Sequence, residues 1–157
     1  MVIFYSPMFQ NLITQAKIDG IERLNVAAVL FNHEGEILIT QRSATKKYLP
    51  NVWHIPGGQI DAGETVEEAL KREVKEELNL EIYEIVADTG VAHDYIGHGN
   101  LKSRTLFIIA KSQGEITLDH ENQAYQYINK DEIDKYFEPS VQEVNSKIFE
   151  AALKILF

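Results

Sequence analysis

Three glutamates pose the chemical question in this chain. Glu73, Glu76 and Glu77 sit at i, i+3 and i+4 within VEEALKREVKEEL, and at 100° per residue they share one narrow arc of a helix. Val66, Leu70, Val74 and Leu78, spaced by four, make an apolar stripe beside that arc, so the carboxylates border a buried face. Like charges this close raise one another's pKa unless a cation neutralises them. Hard oxygen ligands gathered in this way suit Mg²⁺, with Mn²⁺ as a substitute, rather than a soft metal. The plainer alternative is a solvated helix face, on which Glu67–Lys71 and Glu68–Arg72 are ordinary i,i+4 pairs.

The surrounding pattern favours the first reading. Gly58, five residues, Glu64, seven residues, Arg72-Glu73, an apolar residue, one residue, Glu76-Glu77, one residue, then Asn79 and Leu80 follow in order. This spacing resembles the box of the Nudix hydrolase family, in which a glycine stands where Asn79 stands here. Asparagine is the best non-glycine residue for the left-handed position that ends a helix, so the departure touches no ligand position.

The resemblance implies an α/β/α sandwich with a mixed β-sheet, and a single domain over residues 1–157 with residues 1–20 as a leader. It implies hydrolysis of a nucleoside diphosphate linked to another moiety X, by attack of water on phosphorus. Carried over by position, the carboxylates of Glu73, Glu76 and Glu77 and the carbonyl of Gly58 look like the metal ligands. Glu73 and Glu77 are expected to matter most. Arg72 and Glu64 resemble a pair that holds the loop against the helix, with Arg72 counted in the catalytic set. A further carboxylate often comes from a later loop in this family, and Glu121 in DHENQAYQY is the candidate. Two other readings are kept: a catalytically silent nucleotide-binding sensor of the same fold, and an isopentenyl-diphosphate-isomerase-like enzyme. The complete set of box carboxylates weighs against both, and the absence of cysteine weighs further against the second.

Other residues could meet a substrate. Arg42, at the end of a strand, could bind a phosphate or form a surface ion pair. His93 and His98 flank Tyr95 in GVAHDYIGHGN, where an imidazole could polarise a leaving group or simply be solvated. Trp53, beside the glycine loop, reads as core, with base stacking as the minor alternative.

The elements that must position these groups can be read in order. Ser6-Pro7 reads as a helix N-cap followed by proline at the first helical position, with Phe9, Leu12, Ile13 and Ala16 as the apolar face. This leader could cover the core, pair with a second subunit in a homodimer, or shape the substrate cleft. Leu24 to Phe31 and Glu36 to Arg42 read as strands around the turn Asn32-His33-Glu34-Gly35. The polar loop SATKKYLPN leads to Val52-Trp53-His54-Ile55 and then Pro56-Gly57-Gly58. Thr65 and Glu68 form a capping box for the glutamate helix. Glu81 to Thr89 is strand-like, much of Gly90 to Asn100 reads as loop, and Thr105 to Lys111 is a strongly apolar strand. Gln113-Gly114 turns the chain toward Glu115 to Leu118, Asp119 to Ala124 is polar loop, and Tyr125 to Ile128 is a short strand. Asp131 is expected to cap a brief helix, and Ser140 with Glu143 a terminal helix striped by Val141, Val144, Ile148, Ala152 and Ile155. Strands flanked by helices in this order suggest a mixed sheet packed between helices.

Composition narrows the class. The chain has 157 residues, no cysteine and a formal charge of −9. Lack of cysteine removes disulfide, zinc-thiolate and thiol chemistry and fits a reducing, cytoplasmic setting. The negative balance argues against stable nucleic-acid binding along a phosphate backbone. A small anionic nucleotide would then be recruited by bound cations and a few local Lys or Arg residues. MVIFYSPMFQNL has no basic n-region or long apolar run, and no segment approaches membrane-spanning length.

Overall fold

The computed structural model describes residues 7–157. Ser6 therefore lies outside the described residues, and the first helix, α1, spans Gln10–Ile18 behind Phe9 in a left-handed conformation (φ 62°). It starts three residues after Pro7, the expected first helical position. Phe9, Leu12 and Ile13 pack on the core and Ala16 is buried, so the leader covers the hydrophobic interior.

Strands β1 (Arg23–Val29), β2 (Ile37–Arg42), β3 (Trp53–His54) and β4 (Gly57–Gln59) precede the helix α2 (Val66–Leu78). Next come β5 (Glu81–Ile96), β6 (Lys102–Gln113), β7 (Asn122–Ile128), the short α3 (Ile133–Tyr136) and α4 (Pro139–Leu156). One sheet has the order β4-β1-β6-β5 and a second the order β3-β2-β7. The β1–β6 pairing is parallel and the other pairings are antiparallel, which makes the first sheet mixed.

Strand periodicity explains the layers. Alternate side chains leave opposite faces of a strand, and in β1 Val26 and Ala28 enter one apolar cluster while Ala27 and Val29 enter another. In β6, Leu106 and Ile108 face the first cluster, and Phe107 and Ile109 face the second. Both faces are buried, so these strands read as continuous apolar runs. The α2 stripe Val66, Leu70, Val74 and Leu78 fills the first cluster at 0% exposure. Ile148, Phe149 and Ala152 of α4 fill the second. Burial of each large side chain contributes roughly 1.5–3 kcal/mol. The result is the expected α/β/α sandwich with a mixed sheet.

The ends of α2 matter most for the site. Thr65 Oγ1 accepts the Glu68 N–H at 3.1 Å, and Asn79 closes the helix at φ 59°, ψ 27°. Carbonyls in the last turn find partners across the fold, because Thr117 N–H donates to Leu78 O at 3.0 Å and Asp119 N–H to Glu77 O at 3.2 Å. The 114–121 segment thus lies along the end of α2 as a tie and forms no strand.

Four further local expectations change, the first being that β7 starts at Asn122, inside the stretch read as polar loop. Gly90 does not open a loop: β5 continues to Ile96, and Gly90 (φ 77°) sits where its register against β6 shifts between Asp88 and Ala92. A glycine in a bulge looks like a loop glycine in sequence. Asn129, not Asp131, caps the short helical segment, in a full capping box with Glu132. The terminal helix starts at Pro139 behind Glu138, without a side-chain cap from Ser140. Among the described residues no helix is long and apolar enough to cross a membrane.

Candidate active site

Strand β4 brings the glycine loop against both β1 and α2. A β-carbon on Gly57 would fall 2.6 Å from Ala27 Cα, and one on Gly58 2.6 Å from Glu73 Oε1. Real β-carbons do not approach this closely, so only glycine lets the backbone touch the helix carboxylates.

Arg72 ties that loop to α2. Its Nε and Nη2 donate to the two oxygens of Glu64, both at 2.8 Å, and Nη2 also reaches Gln59 O at 2.9 Å. Nη1 serves Glu73 Oε1 at 2.8 Å and Glu76 Oε2 at 3.3 Å. Glu64 in turn accepts the Asp61 N–H at 2.8 Å. The forked contact is the geometry in which arginine binds carboxylate best, and it holds the Glu64 carboxyl below its usual range. The guanidinium is itself pushed further above its ordinary value, first by Glu64.

Glu77 lies at the bottom of this arrangement. It is 5% exposed, and its Oε2 is a buried oxygen with no hydrogen-bond partner among the described residues. Burial pushes its carboxyl up to about 9, reinforced by the charges of Glu73, Asp119 and Glu121; the Gly57 backbone N–H pulls the other way. Glu73 is also raised, first by burial, with Arg72 opposing. Glu76 is largely exposed at the rim. Glu121 reaches the same region from the tie between β6 and β7, paired with Lys46 Nζ at 3.3 Å. Its backbone is fixed because Ser43 N–H donates to Glu121 O at 2.9 Å and Ser43 Oγ to His120 O at 2.7 Å.

Among the described residues no three such groups already converge as a finished metal cage. The donor set nevertheless fits a hard divalent cation. A buried carboxylate with an orphaned oxygen, opposed by the charge of a half-buried neighbour beside a glycine backbone, is what such an ion would satisfy.

A cavity of about 390 Å³ opens beside Gly57 and Gly58. Arg42, His93, Tyr95 and Trp53 line it. The Arg42 guanidinium holds Tyr48 O through Nε (3.1 Å) and Nη2 (2.9 Å). His93 stacks on Tyr95 with centroids 5.2 Å apart, and the Tyr95 hydroxyl accepts from Asn25 Nδ2 at 3.0 Å. Trp53 has both proposed characters, since it faces the cavity and packs edge-on against Tyr136. His98 is not part of the lining; its ring contacts Tyr48.

Three residues here have little or no signature in the sequence. Lys46 was one cation in a polar loop. Asn145 is 6% exposed on α4, with Nδ2 bound to Val141 O at 2.8 Å, and it lines the cavity; an amide among the apolar stripe positions was the available signal. His54 carried no signal. Its Nε2 lies 3.1 Å from Thr40 Oγ1 and 3.2 Å from Asn122 Oδ1, and burial lowers its pKa to about 4. The residue lines the cavity and is half-buried.

The NUDIX domain family profile matches residues 22–151. The chain is 46% identical over 63 residues to a Nudix hydrolase of Deinococcus radiodurans, covering 39% of this chain and 37% of that protein. It is 30% identical over 97 residues to an 8-oxo-dGTP diphosphatase of Proteus vulgaris, covering 61% and 84%. An RNA pyrophosphohydrolase of Campylobacter jejuni is 41% identical over 70 residues, 42% of each chain. In the first and third of these, the match spans well under two thirds of the relative's length. Among solved structures, a MutT protein from Methanosarcina mazei superposes with a TM-score of 0.70 at 19% identity, covering 84% of this chain and 93% of that one. At that identity the likeness is one of fold.

Proposed function

This chain belongs to the NUDIX domain family, and on that premise we propose that it is a Mg²⁺-dependent hydrolase of a pyrophosphate bond in a small nucleotide derivative. The observation that carries this reading is Glu77, a buried carboxylate with an orphaned oxygen, facing the charges of Glu73, Asp119 and Glu121. Isolated burial of such a group is costly, and a cation is the natural compensation.

Glu73, Glu76 and Glu77, with the carbonyl of Gly58, would hold the ion. A divalent cation bound there supplies neutralisation of pyrophosphate charge and a more acidic water. The chain's own residues do the rest. Arg72 and Glu64 lock the glycine loop onto α2, so that the Gly58 backbone is preorganised. Arg42, at the cavity edge, offers a guanidinium to a phosphate of the substrate. Glu121, half-exposed beside Lys46, would take up a proton or complete the ligand set. Trp53 and the stacked His93–Tyr95 pair give the nucleoside an aromatic wall, on which a base can stack. His93 therefore acts in binding rather than in chemistry. Preorganised charge, rather than a covalent intermediate, lowers the barrier in phosphoryl transfer of this type. We take the whole chain as one such domain.

The test is a panel of nucleotides with Mg²⁺ and products identified by mass. It should contain 8-oxo-dGTP, ADP-ribose and a dinucleoside tetraphosphate, in view of the names carried by relatives and structural neighbours. Cleavage of a phosphoanhydride in at least one of them is expected. Nucleotide binding without cleavage of any would overturn hydrolysis and favour the silent sensor.

A further inference from the structure

The His54 imidazole is a half-buried titratable group that the proposed hydrolysis does not use. It sits in the two-residue strand β3, directly opposite Thr40 of β2. Thr40 is 0% exposed and Asn122 5%. Two buried polar side chains meeting a half-buried imidazole are an expensive choice unless their bonds serve a purpose, since apolar residues of similar volume would pack there at less cost.

The direction of the bonds shows where the chain of contacts leads. Asn122 Nδ2 turns to Asp119 Oδ1 at 3.5 Å, so Asn122 Oδ1 faces the ring and His54 Nε2 carries the proton, shared with Thr40 Oγ1. Asp119 Oδ1 also accepts the Glu121 N–H at 3.1 Å, while the Asp119 N–H is bound to Glu77 O. The loop bearing Glu121 is thus tied to α2 through Asp119, to Ser43 through the His120 and Glu121 carbonyls, and through the Asn122 side chain to His54. Asn122 is also paired with Arg42 at the point where the β2–β7 register shifts.

We propose that His54 is a positioning residue for hydrolysis, whose Nε2–H holds Asn122 and thereby sets the 119–121 loop so that Glu121 faces Glu77. The inference rests on the hydrolytic reading of the site and on a working role for Glu121 within it. It assigns His54 no contact with substrate. Loss of the N–H lets the loop sample other placements, which slows the chemical step more than it weakens binding.

The test compares His54→Leu, His54→Gln, Asn122→Ala and Glu121→Gln, together with the double variant His54→Leu/Glu121→Gln, in steady-state kinetics and thermal melts. Glutamine can place an N–H near the position of Nε2; leucine cannot. Expected for His54→Leu is a fall in kcat of at least about tenfold with KM within about threefold, most of it recovered in His54→Gln. Asn122→Ala cuts the same link without touching the ring and should match His54→Leu, which keeps the test decisive if His54→Leu fails to fold. In the double variant the His54 change should add less than about threefold to the loss from Glu121→Gln alone. Multiplying losses, wild-type kcat in Asn122→Ala, absence of rescue by glutamine, or a harmless Glu121→Gln would each overturn the proposal. Failure of the underlying reading looks different, because the wild-type protein itself would then cleave no nucleotide in the panel.

Discussion

Gly58 and Glu73 are packed so closely that a β-carbon on the glycine would lie 2.6 Å from Glu73 Oε1, and closer still to the carboxyl carbon. The metal-ligand set proposed for α2 therefore depends on a missing side chain in β4. Gly58→Ala should displace the Glu73 carboxylate, lower turnover by at least about a hundredfold, and destabilise the fold by about 1–3 kcal/mol. Gly20→Ala supplies the comparison. Gly20 has φ +75° with nothing near its β-position, so alanine there costs about 1–2 kcal/mol of backbone strain and leaves kinetics alone. Equal activity losses in the two variants would remove the special role of the Gly58–Glu73 contact.

Asn79 gives a test of the box departure. It occupies the left-handed region at φ 59° and donates its backbone N–H to Lys75 O at 3.0 Å. Asn79→Gly should keep activity within about threefold and stability within about 1 kcal/mol. Asn79→Ala should cost about 1 kcal/mol or more, because alanine pays for the left-handed conformation without a compensating polar side chain. Denaturant melts and initial rates check both. A collapse of activity in Asn79→Gly would assign the amide a task beyond ending the helix.

These two positions also mark what could be read in the sequence. The α2 stripe, its Thr65 cap and its Asn79 end follow from local spacing, and the structure has them where the spacing puts them. The same spacing points to Gly58, Glu73, Glu76 and Glu77, and the fold packs the Gly58 backbone directly against the Glu73 carboxylate. Contacts between distant segments were not legible. Gly90 looks like a loop residue until β6 is seen beside it, and the bulge becomes visible only in the pairing. The partners of His54 come from residues 40 and 122, and no periodicity links those positions. Pro139 displaced the expected Ser140 cap because proline is itself a good first helical residue.

Glu77 makes the stability of the metal-free protein depend on pH in a defined direction. Its carboxyl is raised from 4.5 to about 9 in the folded state, so the folded chain binds a proton that the unfolded chain releases. This contribution is fully present below about pH 4.5 and is lost progressively as pH rises toward about 9. With chelator present, thermal midpoints of the wild type should therefore fall across that window relative to Glu77→Gln, which cannot ionise. At neutral pH the variant should be the more stable by a few degrees, on the order of 1 kcal/mol. Adding Mg²⁺ should reverse the order by stabilising only the wild type. A flat difference across the window would show that the carboxyl is not held protonated.

The same substitution separates a metal site from an acidic helix face. Glu77→Gln keeps the shape of the side chain but loses the charge that holds a cation, so turnover should fall by about three orders of magnitude or more. Glu67 lies on the same helix, but its carboxylate is half-exposed and paired with Lys71 at 2.8 Å. An exposed i,i+4 pair contributes roughly 0.3–0.5 kcal/mol, and Glu67→Gln should leave turnover within about twofold. Chelator should abolish wild-type activity, and Mg²⁺ or Mn²⁺ should restore it in Glu67→Gln but not in Glu77→Gln. One rate assay with and without added metal reads all of these arms. Equal losses at both positions would mean that general acidity of the face, and not coordination at Glu77, supports the reaction. Full activity of Glu77→Gln in excess chelator would leave the buried carboxylate without a cation to hold, and the orphaned Oε2 would then mark a strained structural acid.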